Sequence, residues 1–267
     1  MSERGRLRCP VTDSRQSGEK YVEKVILVTG AGGGLGSAIV RQLINDEHRV
    51  IGADIDESAL DQLVISLATR AEAFLAHPVD LTSLDALDAM FNTIEKSYGR
   101  LDGLINNAGT CFMSDFPNIP ADEFEKQMAI NFSAAFHCCQ RAIPLMLGRD
   151  GVRNIVNISS NGAYNFDVFD PPHYRASKAA LDTLTKDLAR RYAKDKISVN
   201  SIAPAMTETP LFNVLDEETL QAAISQMPHG EPMQPAQIAA WVAFLLSPAG
   251  DVSSGNVIIL NQGRDVR

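Results

Sequence analysis

Residues Val25–Gly36 read VILVTGAGGGLG. An unbroken apolar run enters a turn with glycines at 30, 32, 33, 34 and 36. A continuous apolar run bounded by glycine suits a strand buried on both faces. Glycines let a backbone approach a pyrophosphate closely, and a helix that starts there offers free N–H donors at its positive end. The stretch therefore predicts a strand, a phosphate-binding turn built on Gly30, Gly34, Leu35 and Gly36, and a helix.

Outward from this unit, short β-branched runs alternate with longer amphipathic segments. Further strands are predicted at Arg49–Ala53, Ala73–His77, Leu101–Ile105, Asn154–Ile158, Ser198–Ile202 and Val257–Leu260. Helical patterns occupy Ala38–Asn45, Leu84–Ser97, Phe124–Leu147 and Ser177–Lys194. Such alternation predicts one α/β domain, a doubly wound (Rossmann) and mostly parallel seven-stranded sheet with helices on both faces. The domain is expected over 22–267, with a substrate loop at about 205–232. Residues 1–21 are polar, carry four arginines and lack the apolar core of a secretory signal, so a flexible tail is expected.

The chain has 267 residues, 45% of them hydrophobic, enough for one large core. Its net charge of −9 argues against a general nucleic-acid affinity. No apolar run approaches the ~20 residues of a membrane span. Cys9, Cys111, Cys138 and Cys139 show no CxxC spacing, which suggests reduced thiols and a cytoplasmic protein. Adjacent Cys138 and Cys139 sit in an apolar helical stretch and are expected to pack. His48, His77, His137, His173 and His229 form no HxH or HExxH pair, so no metal site is expected. His173 adjoins Tyr174 and is expected to be solvated in a loop.

Asp54 ends the second strand in the run VIGAD, about 20 residues past the glycine turn. A carboxylate there accepts hydrogen bonds from ribose hydroxyls and repels a 2′-phosphate. No Arg or Lys lies in the glycine turn or just after Asp54 to neutralise such a phosphate. NAD(H) is the expected cofactor.

The string Thr29–Gly36 resembles the TGxxxGxG turn of short-chain dehydrogenases/reductases. It also fits the TGxxGxxG turn of the larger epimerase and dehydratase branch. Other motifs favour the compact branch. Asn106-Asn107-Ala108-Gly109 is similar to its NNAG motif, Asp80 in VDL to its adenine-side acid, and Asn131 in AINF to its helix asparagine. Tyr174-Arg175-Ala176-Ser177-Lys178 resembles YxxxK, and Ser159-Ser160 resembles the family serines. The resemblance runs from about Val22 to the end. It implies a nicotinamide-dependent alcohol/ketone oxidoreductase, commonly a homo-oligomer (dimer or tetramer). It adds Ile55, Leu81, Asn107, Ala108 and Gly109 to the cofactor set. Ala203–Pro210 resembles the PGxxxT segment, with Ala205 in place of glycine, and implies cofactor contacts from Pro204, Thr207 and Thr209. The run LNQG at Leu260–Gly263 departs from the usual VDGG.

Tyr174 and Lys178 are four residues apart and project from one helix face. A free phenol, with a pKa of about 10, is a poor base at neutral pH, and a nearby ammonium favours the phenolate. The pair thus reads as a proton acceptor tuned toward working pH, and both side chains reach the cofactor ribose by resemblance. Ser160 lies at the end of the fifth strand, where its hydroxyl can steady a developing alkoxide. It precedes Tyr174 by 14 residues where many relatives show 13, and Ser159 takes the role if the loop register differs. Asn131 is implied to hold a water that links Lys178 to solvent. The substrate pocket is expected to draw on Phe112, Asn161, Tyr164, Phe166, Met206 and Phe212, with Asp167 and Asp170 at its rim. Leu215–Met227 reads as a short mobile helix able to close over substrate. Two alternatives remain: an NADP(H)-dependent ketoreductase, and a non-catalytic NAD-binding scaffold or sensor.

Overall fold

The computed structural model describes residues 23–165 and 170–265. The expected tail at 1–21, Cys9, Phe166 and Asp167 lie outside the described residues. Seven strands form one sheet in the order β3-β2-β1-β4-β5-β6-β7. They are β1 (Val25–Thr29), β2 (Arg49–Asp54), β3 (Phe74–Pro78), β4 (Gly103–Asn106), β5 (Arg153–Ile158), β6 (Ile197–Pro204) and β7 (Val257–Leu260). Every neighbouring pair is parallel. The helices are α1 (Gly34–Asn45), α2 (Glu57–Leu67), α3 (Leu84–Tyr98), α4 (Ala121–Met128), α5 (Ala134–Met146), α6 (Pro172–Tyr192), α7 (Glu217–Ser225) and α8 (Pro235–Leu246).

Strand β1 is buried at every residue, and its side chains alternate between two cores. Val25 and Leu27 join the core under α3, α5 and α6. Ile26 and Val28 join the core under α1, α2 and α8. Cys138 and Cys139 are fully packed in the first of these, as expected. Local chemistry sets the helix ends. Asp56 accepts the Ala59 N–H to start α2, Ser83 accepts the Ala86 N–H to start α3, and α3 stops at Gly99 with a φ of 63°.

One expected element differs. The pattern at Phe124–Leu147 predicts a single helix, but α4 and α5 are separated by a π-helical turn at Ala129–Ser133. The extra residue per turn brings the buried Asn131 inward.

The strand order reverses between β1 and β4. The crevice at their carboxyl ends is therefore the ligand edge of the sheet. Gly30–Gly36, Asp54, Asn107, Ser160 and Pro204 all lie at or just past carboxyl ends of strands.

The turn that opens this crevice depends on Gly36, because a Cβ there would fall on the carbonyl oxygen of Gly30. At Gly33 the nearest atom to a Cβ is 3.4 Å away, an ordinary contact. Gly36→Ala is expected to lower stability by at least about 2 kcal/mol in urea unfolding, and Gly33→Ala by clearly less. Equal losses would contradict this packing.

Candidate active site

The crevice is stapled before any ligand enters it. The Asn107 side-chain amide donates to the carbonyls of Thr29 and Gly30, each at 3.0 Å. The Thr29 hydroxyl oxygen in turn accepts the N–H groups of Asn107 and Ala108. Gly30 has a φ of 64°, and a Cβ there would lie 2.8 Å from the Ala108 Cα. Asn107 and Ala108 thus hold the turn in shape through this staple.

The residues fit a dinucleotide. Helix α1 starts at Gly33 with no side-chain cap, unlike α2, α3 and α7, so its first N–H groups are left for an anionic partner. Asp54 accepts the Gly32 N–H at 2.8 Å and the Asp56 N–H at 3.0 Å, which ties the end of β2 to the turn. Ile55 is 73% exposed, an apolar surface of the kind an adenine ring covers. Asp80 accepts the backbone N–H and hydroxyl of Thr82, and Leu81 packs on the core. Thr209 and Pro210 lie against Gly34. Pro204 ends β6, and Thr207 donates its hydroxyl to the Ala205 carbonyl. Ala205 extends the pairing of β6 with β7 through its N–H to Leu260, and its φ is not positive, so no glycine is required.

Tyr174 and Lys178 sit on the buried face of α6. The Lys178 Nζ lies 5.8 Å from the Tyr174 ring centroid and donates to the Ile158 carbonyl at 2.9 Å. Nζ and the Asn131 Oδ1 converge on Gly109, 3.2 and 3.4 Å from where its Cβ would be. Asn131 accepts the Thr110 N–H and donates to the Thr110 carbonyl and the Ser177 hydroxyl, so its amide clasps the segment after β4.

The two serines part company. The Ser160 hydroxyl accepts the Gly162 N–H and lies near enough to the Tyr174 phenol to favour its ionised form. Ser159 points into the fold, donating to Asp182 at 2.9 Å. The extra residue between Ser160 and Tyr174 is absorbed in the loop, and Ser160 keeps its place facing the phenol.

Burial decides the electrostatics. It pushes the Tyr174 phenol well above its ordinary value, Asp170 and Cys111 add to the rise, and only the Ser160 hydrogen bond opposes it. The expected lowering of the phenol by Lys178 is not found. Burial also pulls Lys178 down, to about 8, against the opposing charge of Asp182. Asp182 itself is raised by burial, while Ser201, Tyr164 and Ser159 donate hydrogen bonds to it.

The expected substrate residues divide. The Asn161 amide donates to Asp265 while its side-chain carbonyl has no partner among the described residues, and the Tyr164 hydroxyl donates to Asp182. Phe112 donates its N–H to Gln127, whose amide bonds back to the Thr110 carbonyl. Met206 packs half-buried on the α1 side of the sheet, and Phe212 lies half-buried in the turn Pro210–Val214. Phe166 lies outside the described residues. His173 is not solvated in a loop: it lies buried in the first turn of α6, 3.2 Å from the Glu123 carboxylate. The expectation failed because Pro172 starts the helix early. Gln127, Asp182 and Asp265 went unnoticed in the sequence. The first two stand four residues from Asn131 and Lys178, a spacing that would have revealed them. Asp265 carries no local signal.

The model of the short chain dehydrogenase family matches residues 24–220. The chain is 31% identical over 242 residues to the 3-oxoacyl-acyl-carrier-protein reductase FabG of Thermotoga maritima, covering 90% of this chain and 97% of that protein. It is 29% identical over 248 residues to the 7alpha-hydroxysteroid dehydrogenase of Bacteroides fragilis, covering 91% and 95%. The crystal structure of a 3-ketoacyl-(acyl-carrier-protein) reductase from Brucella melitensis complexed with NADH is similar, with a TM-score of 0.85 and 25% identity over 92% of this chain and 100% of that one.

A buried ammonium opposes folding. Because the Lys178 pKa falls from 10.5 to about 8 on folding, the unfolded chain binds more protons between those values. Stability from this group therefore rises with pH across that window and is poorest below it. Lys178→Met is expected to raise Tm by several degrees at pH 7, with the gain shrinking above pH 8. A Tm difference that stays constant from pH 7 to pH 10 would contradict the assignment.

Proposed function

The chain belongs to the short-chain dehydrogenase/reductase family, whose members act on alcohol and ketone groups, and from that premise we propose that it is an NAD(H)-dependent oxidoreductase. It interconverts a secondary alcohol and a ketone on a small or medium organic substrate. The observation that carries the reading is the pair Tyr174 and Lys178 buried on one face of α6, Nζ 5.8 Å from the ring centroid, with Ser160 at the end of the neighbouring strand, all at the carboxyl edge of the sheet.

The turn at Gly30–Gly36 and the N-terminus of α1 would hold the dinucleotide phosphates. Asp54, Ile55, Asp80 and Leu81 would hold the adenosine half. Ala108, Gly109, Pro204 and Thr207 would border the nicotinamide half, with Tyr174 and Lys178, and Thr209, which lies against Gly34, would stand by the phosphates. When bound, the nicotinamide accepts or donates the hydride, and its oxidised ring carries a positive charge.

The protein's part is proton control and orientation. Ser160 accepts the Gly162 N–H, so its own proton can turn to the Tyr174 phenol or to the substrate oxygen. Tyr174 takes the alcohol proton in oxidation and returns it in reduction. Its phenol is held high by burial, so a positive charge arriving beside it draws the proton off most strongly when oxidised cofactor is in place. Lys178, kept in line by the Ile158 carbonyl, stabilises the phenolate. Asn131 holds the Thr110 segment, and its position beside Nζ supports a proton path from Lys178 outward.

The Asp54 carboxylate, set on the turn by the Gly32 N–H, supports NAD(H) over NADP(H). The similar Brucella melitensis reductase is complexed with NADH, which accords with this preference. Exposed Trp241 and Phe244 on α8 support a homo-oligomer, and buried unpaired Cys111, Cys138 and Cys139 suit a cytoplasmic protein.

Titration with NADH and NADPH, followed by cofactor fluorescence, tests the cofactor. NADH is expected to bind at least about tenfold more tightly, and Asp54→Asn, which removes charge with little change of shape, is expected to shrink that ratio. Tighter binding of NADPH by the unaltered protein would overturn the preference.

A further inference from the structure

Asp170 ends the loop that runs from Ser160 to α6 and stands four residues before Tyr174. The sequence suggests a rim position, but the carboxylate is largely buried and turned inward. Its Oδ2 fills the space that a Cβ on Gly162 would occupy, and the Ser160 Oγ lies 3.2 Å from that same point. Only a glycine at 162 leaves room for this approach. The charge of Asp170 is felt at both Tyr174 and Cys111, in keeping with a carboxylate close to Ser160.

No described residue donates a hydrogen bond to either oxygen of this carboxylate. Two guanidiniums, Arg175 and Arg264, act on it electrostatically without donating to it. Arg175 donates to the backbone carbonyls of Asp170, Gly162 and Asn165. Arg264 pairs with Asp265. The residue is partly exposed, so its carboxylate stays open to a donor on a molecule that enters the pocket. With two cations already near, a neutral donor fits better than a third positive charge.

We propose that Asp170 sets substrate specificity by accepting a hydrogen bond from a hydroxyl on the carbon next to the reacting one. This rests on the reading above, in which Ser160 and Tyr174 hold the reacting oxygen. The substrates are then vicinal diols and α-hydroxy ketones, preferred over mono-alcohols and over molecules with an anion at that carbon. One C–OH becomes C=O, NAD⁺ is reduced to NADH, one proton is released, and the second hydroxyl is unchanged.

Matched pairs provide the test: trans-1,2-cyclohexanediol with cyclohexanol, 2,3-butanediol with 2-butanol, and lactate as the anion. The unaltered enzyme is expected to favour the diol of each pair by at least about tenfold in kcat/KM, and lactate to be the poorest. Asp170→Ala is expected to bring the diol-to-alcohol ratio close to one, and Asp170→Asn, which keeps a carbonyl acceptor, to retain part of it. A ratio near one in the unaltered enzyme, or a ratio that survives Asp170→Ala, would overturn the proposal. If no alcohol is oxidised, the redox reading fails separately. Ligand-observed NMR on the NAD-loaded protein then decides the role of Asp170. Diol binding that is lost in Asp170→Ala upholds it, and binding that is absent or indifferent to the change overturns it.

Discussion

The contact between Gly30 and Ala108 sets the geometry of everything at the carboxyl edge of the sheet. Strands β1 and β4 diverge there, and their following turns come within a Cβ's width of each other. Thr29 and Asn107 lock that approach with hydrogen bonds in both directions. Because the turn is held from the β4 side, the first N–H groups of α1 stay uncapped and aimed at the crevice. The same segment continues through Gly109 and Thr110 to Asn131 and Lys178. The glycine turn and the buried lysine are thus joined through one stapled segment, which links two halves of the sheet.

The site places an ammonium and a phenol where water is excluded. Burial displaces both from their ordinary behaviour, the lysine downward and the tyrosine upward. The surrounding fold compensates with Asp182, held by three hydroxyl donors beneath α6, and with the Ile158 carbonyl at Nζ. An arrangement that opposes folding and is retained in the centre of the ligand crevice points to chemistry rather than packing.

Much of this was legible in the sequence. All seven strands fall within two residues of the expected bounds, because a strand buried on both faces leaves a continuous apolar run that needs no partner to be recognised. Tyr174 and Lys178 were legible because the likeness to YxxxK singled them out among the other motifs and helical spacing places them on one face. The π turn around Asn131 was not: AINFS has the composition of the helix on either side, and the turn is tied to hydrogen bonds between Asn131 and the Thr110 segment. The loop after β5 was read least well. Asn161 and Tyr164 look like free polar groups until Asp265 and Asp182 are brought to them, the first from 104 residues away. The burial of Asp170 over Gly162 belongs to the same class, since nothing local distinguishes an inward carboxylate from a solvated one.

The central claim is that Tyr174 carries the proton in hydride exchange with NAD(H). Its most direct measurement is single-turnover oxidation of NADH across a panel of small ketones by the unaltered protein and Tyr174→Phe, both shown to bind NADH equally. The account predicts at least one ketone reduced by the unaltered protein, with a rate lowered on the order of 10²–10⁴-fold in the variant and the NADH Kd unchanged. Equal rates in the two proteins would contradict it.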